Sequence, residues 1–467
     1  MMKYSLHRFS LAMYAALAAF AAQASGYHFG TQSVSAQSTA NSSAAEAADA
    51  STLFYNPAGL SKLDSHEISA SVNVVAPSVK YSEGQAVYNK GQKVAVGTTS
   101  GKITPDVVLA PHVYGAYKIN DNFTAGLGIY VPFGSETEYD KKSVLRYNLN
   151  KTELTSIAVE PVVAYKVNEQ HSVAAGVVAQ YSTAGLRKYA DWGSSRRPLA
   201  DPAGLGLLDG HAEVKGKDWG LGYHLAWMWD INDRARVGVN YRSRVKHNLK
   251  GTADWQADGA MAKGIYAANI GKPIKGGGLG YVPHEKASLK VTTPESLSVH
   301  GMYQVYPRWD VFGDVTWTRH SRFNRAELKF ENEKLTASGK TSNQTVITPN
   351  WRDTYKVAVG ASYQVKDPLQ LRFGVAYDQS PVRRAEERLV TMPDNNRIWY
   401  SVGMKYDLGK QHTINAAYSY IHIQKAKAVV QAKGSNAEVT TIDSNVSSSA
   451  NYKSHGNIVG LQYTYKF

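Results

Sequence analysis

Cysteine is absent from the 467-residue sequence. The chain therefore has no disulfide framework, no thiolate metal site and no cysteine nucleophile. Long apolar runs are also missing, because beyond residue 24 no uninterrupted stretch of even a dozen apolar residues occurs. A membrane-spanning helix needs about 20 such residues, so the sequence excludes a helical inner-membrane protein. Stability must come from packing and from backbone pairing.

The N-terminus has the pattern of an export signal. Lys3 and Arg8 precede the apolar run LAMYAALAAFAA, which ends in the small-x-small sequence AQA at residues 22–24. We therefore predict a secretory signal peptide over residues 1–24. A non-cleaved membrane anchor is the alternative, but the apolar run is shorter than a spanning helix requires.

Aromatic residues and glycine are abundant in the chain. It contains 30 Tyr, 9 Trp and 39 Gly, yet its mean hydropathy is negative. Strands that alternate apolar and polar residues produce this combination. The formal net charge is +14, and removal of Lys3 and Arg8 with the signal leaves +12, which favours anionic lipid headgroups or anionic small molecules. Nucleic acid is not an expected partner of an exported chain of this kind.

The C-terminal stretch GLQYTYKF shows a clear period of two residues. Its apolar side chains share one face, and its polar side chains share the other. The apolar set is Leu461, Tyr463, Tyr465 and Phe467, and the polar set is Gln462, Thr464 and Lys466. The stretches PLQLRFGVAYD and RIWYSVGMKYD alternate in the same way. A period of two indicates β-strands.

About fourteen such segments follow one another along the chain. They lie near 66–81, 107–119, 122–133, 153–167, 170–185, 218–231, 234–250, 295–306, 308–318, 351–365, 368–379, 397–408, 411–422 and 455–467. Short polar links such as INDN, NEQ and KDP alternate regularly with long connections. This alternation and the even strand number predict a 14-stranded antiparallel transmembrane β-barrel in the outer membrane of a Gram-negative bacterium.

A soluble β-sandwich is the alternative fold, but nothing in a sandwich requires short and long connections to alternate along the chain. Closure also meets a physical demand, because an unpaired strand edge in hydrocarbon leaves backbone groups unsatisfied at several kcal/mol each. The terminal Phe467 resembles the C-terminal signature that barrel assembly machinery recognises. Eight strands enclose a space that side chains fill, whereas fourteen leave a lumen that needs a plug or forms a pore.

Residues 25–65 precede the first predicted strand and lack its alternation. This segment contains FYNPAGL at 54–60, an uncharged apolar cluster around a proline that suits a tight turn. We predict that it forms an inward plug, or hatch, and that residues 66–467 form the barrel. A flexible periplasmic tail is the alternative.

The order of motifs resembles the FadL/TodX family of outer-membrane transporters for long-chain fatty acids and other hydrophobic compounds. The resemblance spans nearly the whole mature chain and includes an Asn-Pro-Ala motif at Asn56, Pro57 and Ala58. The other stretches that carry it are VPFGSETEYD, YRSRVKHNLKG, TTPESLSVHGMY through DVTWTRHSRF, WRDTYKVAVGASYQ, LRFGVAYDQSPV and MPDNNRIWYSVGMKY. It implies a fourteen-stranded barrel with an N-terminal hatch and, as the family expectation, a monomer.

A fatty acid combines an apolar tail with a carboxylate, so its site needs an apolar groove and one or two cations. The resemblance places Arg187, Lys188 and Lys329 where a headgroup could bind, with ordinary solvated loop charge as the alternative. It places Tyr27 and Phe29 of the hatch near the bound ligand, and plain hatch packing is the alternative for these two.

The sequence Val131-Pro132-Phe133-Gly134 lies towards the end of the third predicted strand. Proline cannot donate to a strand ladder and glycine weakens one, so the pairing should break there. In the resembling family, a kink at the third strand opens the barrel sideways for release into the membrane. The alternative is that the strand ends at Val131 and the remaining residues belong to a loop.

These features predict capture by extracellular loops, transfer to the lumen, rearrangement of the hatch and lateral release. No cofactor, metal or catalytic residue is expected, and the expected surroundings are outer-membrane lipid and lipopolysaccharide. A general diffusion porin or an adhesive barrel is the main alternative. An outer-membrane lipase is less favoured, since no Gly-x-Ser-x-Gly motif is present.

Overall fold

The computed structural model describes residues 28–88, 91–191, 205–269, 282–335, 341–432, 444 and 446–467. The predicted signal peptide and Tyr27 lie outside these residues. In the part of the chain that is described, no helix is both long enough and apolar enough to cross a membrane.

Strands dominate the described structure, and all of them belong to one sheet. They are β1 (Glu67–Tyr88), β2 (Gly101–Lys102), β3 (Val108–Lys118), β4 (Phe123–Glu138), β5 (Lys151–Lys166), β6 (His171–Asp191), β7 (Asp209–Asn232), β8 (Ala235–Arg242), β9 (Val245–Ala257), β10 (His284–Thr293), β11 (Ser296–Tyr306), β12 (Trp309–Thr318), β13 (Ala326–Leu335), β14 (Thr341–Ile347), β15 (Thr354–Lys366), β16 (Leu369–Asp378), β17 (Arg397–Leu408), β18 (His412–Val430) and β19 (Val446–Lys466).

The sheet closes into an antiparallel barrel because β1 pairs with both β3 and β19. Within the described residues, β8 with β9 and β10 with β11 each form one broken wall strand. Strands β2, β13 and β14 are additions to the wall, which leaves fourteen wall strands. The predicted 14-stranded barrel is confirmed, and the short links lie at the end where Glu67 pairs with Lys466.

The prediction missed part of the regular structure outside the membrane band. Residues 251–294 and 319–350 were expected to be long connections, but they contain β10, β13 and β14. Their alternation is hard to detect in the sequence because the exposed faces of β10 and β13 carry charged side chains, such as Lys290 and Lys329, in place of apolar ones. A search for lipid-facing alternation does not find strands of this kind.

Side chains of the wall strands alternate between lipid and lumen as the sequence predicts. On β19, Leu461 and Tyr463 are exposed on the outer surface, whereas Gln462 and Thr464 are buried. The Gln462 amide donates to Asp49 Oδ2 over 2.8 Å and accepts from the Val34 N–H over 2.8 Å. The polar face of the strand therefore binds the N-terminal segment.

The described N-terminal residues 28–63 form the hatch inside the lumen. Their regular elements are α1 (Val34–Gln37), α2 (Thr52–Tyr55) and a 3₁₀ helix over Pro57–Lys62. Three further 3₁₀ helices, Val144–Tyr147, His320–Phe323 and Ala385–Glu387, and one helix, α3 (Ala260–Asn269), lie in the connections between strands. Most hatch residues are buried against the wall, so the apolar core lies between hatch and barrel.

The motif FYNPAGL explains how the hatch turns. The Asn56 side chain accepts from the Ala58 N–H over 3.0 Å and caps the 3₁₀ helix, while Pro57 occupies its first position, where an N–H is not needed. The Asn56 amide also donates to the Trp227 carbonyl over 3.1 Å. Phe54 and Leu60 pack in the same buried cluster as wall side chains, so this motif docks the hatch on the barrel.

Candidate functional site

The ladder between β3 and β4 stops partway along the two strands. They pair over six residues each and end at Val113 opposite Ile129. Beyond this point β3 still pairs with β1, and β4 still pairs with β5 as far as Glu138. Among the described residues, positions 130–137 of β4 have no ladder partner in β3. We call this interruption the wall gap.

Proline occurs on both strands at the wall gap. Pro111 lies in β3 two residues beyond the last pair, and Pro132 lies within a register shift between Tyr130 and Phe133 of β4. Because proline supplies no N–H, neither residue can donate to a ladder here. The prediction from the sequence rested on Pro132 and Gly134 of β4. Pro111 was missed, although its position inside the alternating stretch VLAPHVYGAY was a visible signal.

Hatch residues cover the wall gap from inside. The Phe29 N–H donates to the Pro132 carbonyl over 2.9 Å, and the Gln32 amide donates to the Val131 carbonyl over 2.8 Å. The ring centroids of His28 and Phe133 are 5.4 Å apart in an edge-on arrangement. The first described residues of the hatch therefore take the place of part of the missing ladder.

Phe29 occupies an apolar part of the lumen next to the wall gap. It is buried and belongs to a cluster with Val75, Ala110 and Trp399. Its ring stacks on His112 with centroids 5.9 Å apart. The structure thus brings Phe29 to the inner surface of the barrel, and its role in ligand binding stays a prediction.

An apolar cavity lies among the strand extensions and connections on the side of the long loops. It encloses about 560 Å³, including the open space at its mouth. Its apolar lining consists of Leu149, Leu154, Ala184, Leu186, Leu289, Val291, Phe323, Ala326, Ile347, Leu389 and Met392. Glu153 is the charged residue of its described lining. The surface suits an aliphatic or aromatic group.

The predicted cationic residues differ in their positions. Arg187 follows the cavity residue Leu186, and its guanidinium donates to Glu138 over 2.6 Å and to Asn150 over 2.7 Å. Lys188 is partly buried on β6 opposite Ala212. Lys329 is exposed on β13, whereas Arg187 is buried on β6.

A second, polar cavity lies in the lumen between the hatch and the wall. It encloses about 830 Å³, including the open space at its mouth, and its lining includes Asp314, Lys356 and Asp378 of the wall. Hatch residue His28 also lines it. Burial lowers the pKa of His28 to about 3, and the nearby positive charges of His320, Lys356 and Arg242 act in the same direction, so its ring is neutral.

Charged contacts fix the hatch to the opposite part of the wall. The Arg372 guanidinium of β16 donates to both carboxylate oxygens of Glu46, over 2.8 and 2.5 Å, and to Ser38 Oγ over 2.8 Å. Burial alone would raise the pKa of Glu46, but the charge and hydrogen bonds of Arg372 hold it below its usual value. Glu46 is therefore ionised at neutral pH and forms a buried salt bridge.

Comparison with known proteins agrees with this architecture. A family model described as outer membrane protein transport protein (OMPP1/FadL/TodX) matches residues 15–467. The outer membrane protein NMB0088 of Neisseria meningitidis serogroup B is 58% identical over 464 residues, which cover 97% of each chain. A long-chain fatty acid transport protein of Escherichia coli O6:H1 is 28% identical over 393 residues, which cover 81% of this chain and 82% of the relative.

Among solved structures, the crystal structure of a Pseudomonas aeruginosa FadL homologue has a TM-score of 0.81 to this chain at 23% identity. The match covers 95% of this chain and 100% of that chain, and it shows the fold. The family description names a transport protein, which confirms the expectation that the chain is not an enzyme. The chain belongs to the FadL/TodX family of transporters of hydrophobic compounds and lies in the outer membrane of a Gram-negative bacterium.

Proposed function

We propose that this protein takes up long-chain fatty acids or similar hydrophobic compounds and releases them sideways into the outer membrane. The compound first binds the apolar cavity near the long loops, then enters the lumen beside the hatch, and leaves through the wall gap. The wall gap is the observation that carries the proposal. The fatty acid as cargo is supported by the name of the Escherichia coli relative.

The apolar cavity supports the capture step. Each CH₂ group that leaves water stabilises binding by about 0.8 kcal/mol, so an alkyl chain gains affinity from the aliphatic lining without any specific polar contact. Arg187 and Lys188 follow Leu186 in the chain and are the proposed partners of a carboxylate headgroup. Because Arg187 already binds Glu138, an incoming carboxylate would compete with this side chain.

The contacts at the wall gap support the exit step. The hatch holds β4 through two hydrogen bonds, from Phe29 and Gln32, at the place where β3 provides none. A small displacement of residues 28–32 would break these bonds while the rest of the hatch stays in place. Passage through the wall avoids water, and the apolar tail then enters hydrocarbon directly.

The test is to make the strand regular at the wall gap. In a Pro132→Val, Gly134→Ala variant, β4 gains an N–H and a stiffer backbone, so we expect uptake of a labelled long-chain fatty acid to fall about tenfold, in line with one restored backbone hydrogen bond. Binding of the same fatty acid to purified protein should not change. The matched control is Pro161→Val, since Pro161 is exposed and lies in the continuous ladder opposite Leu127.

Unchanged uptake in the folded variant would reject lateral exit. Loss of binding together with uptake would instead show that these residues form a binding site. Sugar uptake by proteoliposomes distinguishes the diffusion porin, because the hatch should block hydrophilic solutes while fatty-acid binding persists.

A further inference from the structure

Six lysines lie on the outer surface of the wall, on neighbouring strands beyond the membrane band. We define this basic patch as Lys217, Lys246, Lys250, Lys286, Lys290 and Lys329. All six side chains are exposed. Within the described residues, none of them has a carboxylate within ion-pair distance. Glu327 lies opposite Lys290 in the ladder but forms its ion pair with Arg325.

The strand register places like charges next to each other. Lys217 of β7 lies directly opposite Lys250 of β9. Ser288 of β10 lies opposite Lys250 on one side and opposite Lys329 of β13 on the other. Like charges directly opposite each other destabilise a sheet. A ligand that carries negative charge would remove this repulsion.

The basic patch borders a concave surface that could hold such a ligand. This surface encloses about 800 Å³, including the open space at its mouth, and its lining includes Lys246 and Lys290. Arg322 and Arg325 also line it, but they form ion pairs with Glu295 and Glu327. The described lining contains one carboxylate, Asp218, which lies 3.7 Å from His247. The unpaired positive charge of the site therefore comes from the lysines.

The position of the basic patch along the barrel indicates where its ligand lies. On the outer face of β7, Lys217 is followed by exposed apolar side chains at alternate positions from Trp219 to Trp227. These residues cover about 26 Å along a strand at ~3.3 Å per residue. At a strand tilt of about 40° this is a height of about 20 Å, most of the ~25 Å apolar band of an outer-membrane barrel. The patch thus begins where the hydrocarbon ends, on the side of the long loops.

We propose that the basic patch binds the phosphate groups of lipopolysaccharide in the outer leaflet. A phosphorylated glycolipid fits three observations. The lysines have no ion-pair partner among the described residues, the patch lies at the edge of the apolar band, and the patch is continuous with a lipid-facing surface. Clusters of four to eight basic residues beside a membrane recognise anionic headgroups in this way. This site is separate from the transport route and does not depend on the cargo.

The test uses the full-length protein with Lys217, Lys246, Lys250 and Lys290 all changed to Gln. Each lysine near an anionic surface contributes roughly fivefold in affinity, so the loss of four independent contributions should weaken binding of lipid A by up to about 600-fold. Native mass spectrometry of purified barrels counts the bound lipid A. Dephosphorylated lipid A should bind the wild-type protein as weakly as lipid A binds the variant.

The matched control is Lys80→Gln with Lys453→Gln, an exposed pair that faces across β1 and β19 elsewhere on the wall. An equal loss in this control would overturn the assignment to the basic patch. Equal binding of dephosphorylated lipid A would exclude phosphate recognition, and full competition by millimolar inorganic phosphate would indicate a site for free anions. Retained fatty-acid binding in the four-lysine variant shows that the barrel is folded.

Discussion

The wall of this barrel differs between the seam of β19 with β1 and the junction of β3 with β4. Strands β19 and β1 pair over twenty positions, from Lys466 opposite Glu67 to Val446 opposite Tyr88, with one irregularity. Strands β3 and β4 pair over six. An open edge is costly in hydrocarbon, so an interruption in an otherwise closed wall indicates a function.

The hatch is also attached differently on these two sides. On the wall between β16 and β19, the hatch is bound through Gln37, which donates to the Ile458 carbonyl over 3.1 Å, and through the ion pair of Arg372 with Glu46. At the wall gap, the hatch bonds to the backbone of β4 through Phe29 and Gln32. This difference supports the proposal that the first part of the hatch moves at the gap while its anchors on β16 and β19 hold.

The largest expected effect comes from removal of an anchor. Arg372→Met leaves Glu46 ionised and without its partner inside the lumen, and removing one member of a buried ion pair costs about 3–5 kcal/mol. We expect the hatch to detach in a measurable fraction of molecules. Swelling of proteoliposomes in a small sugar should then rise well above that of the wild-type protein.

The control for this variant is Arg325→Met, which breaks a solvent-accessible ion pair with Glu327 worth about 0–1 kcal/mol. Adding Glu46→Gln to Arg372→Met should reduce the leak, because the unpaired charge is then absent. A tight lumen in the single Arg372 variant would show that the anchor does not hold the hatch.

The second-largest expected effect comes from adding a methyl group where the hatch lies close to the wall. A Cβ at Gly374 of β16 would lie 2.0 Å from the carbonyl carbon of Thr39, and backbone cannot rotate away as a side chain can. Gly374→Ala should therefore strain the docked hatch by about 1–3 kcal/mol. Gly313→Ala is the matched control, since a Cβ there meets nothing within 4 Å.

Limited proteolysis of the hatch measures this effect more sensitively than solute leak. Faster cleavage within residues 28–63 is expected for Gly374→Ala and not for Gly313→Ala. Identical cleavage rates for both variants would mean that the hatch adapts to the added methyl group without loosening.

The sequence predicts the barrel well because alternation and loop length are local properties. The C-terminal strand with Leu461 outward and Gln462 inward, and the position of the hatch motif at Asn56, follow from a few neighbouring residues each. The salt bridge of Arg372 with Glu46 joins residues 326 positions apart, and no local pattern indicates it. The extent of the wall gap is hidden for the same reason, because it depends on which strands fail to pair.

The smallest expected effect comes from Pro111, the proline that the sequence analysis did not use. Pro111→Val supplies an N–H on β3 but leaves Pro132 and the register shift of β4 unchanged, so at most part of the missing ladder can form. A backbone hydrogen bond contributes about 0.5–1.5 kcal/mol, and we therefore expect fatty-acid uptake to fall roughly twofold to tenfold with binding unchanged.

Combining Pro111→Val with Pro132→Val should reduce uptake further than either change alone, because a closed junction needs donors on both strands. If the two changes reduced uptake only by disturbing the fold, the heat stability of the barrel would fall together with uptake. A barrel that becomes more stable while uptake falls would show that the junction of β3 with β4 has become like the seam.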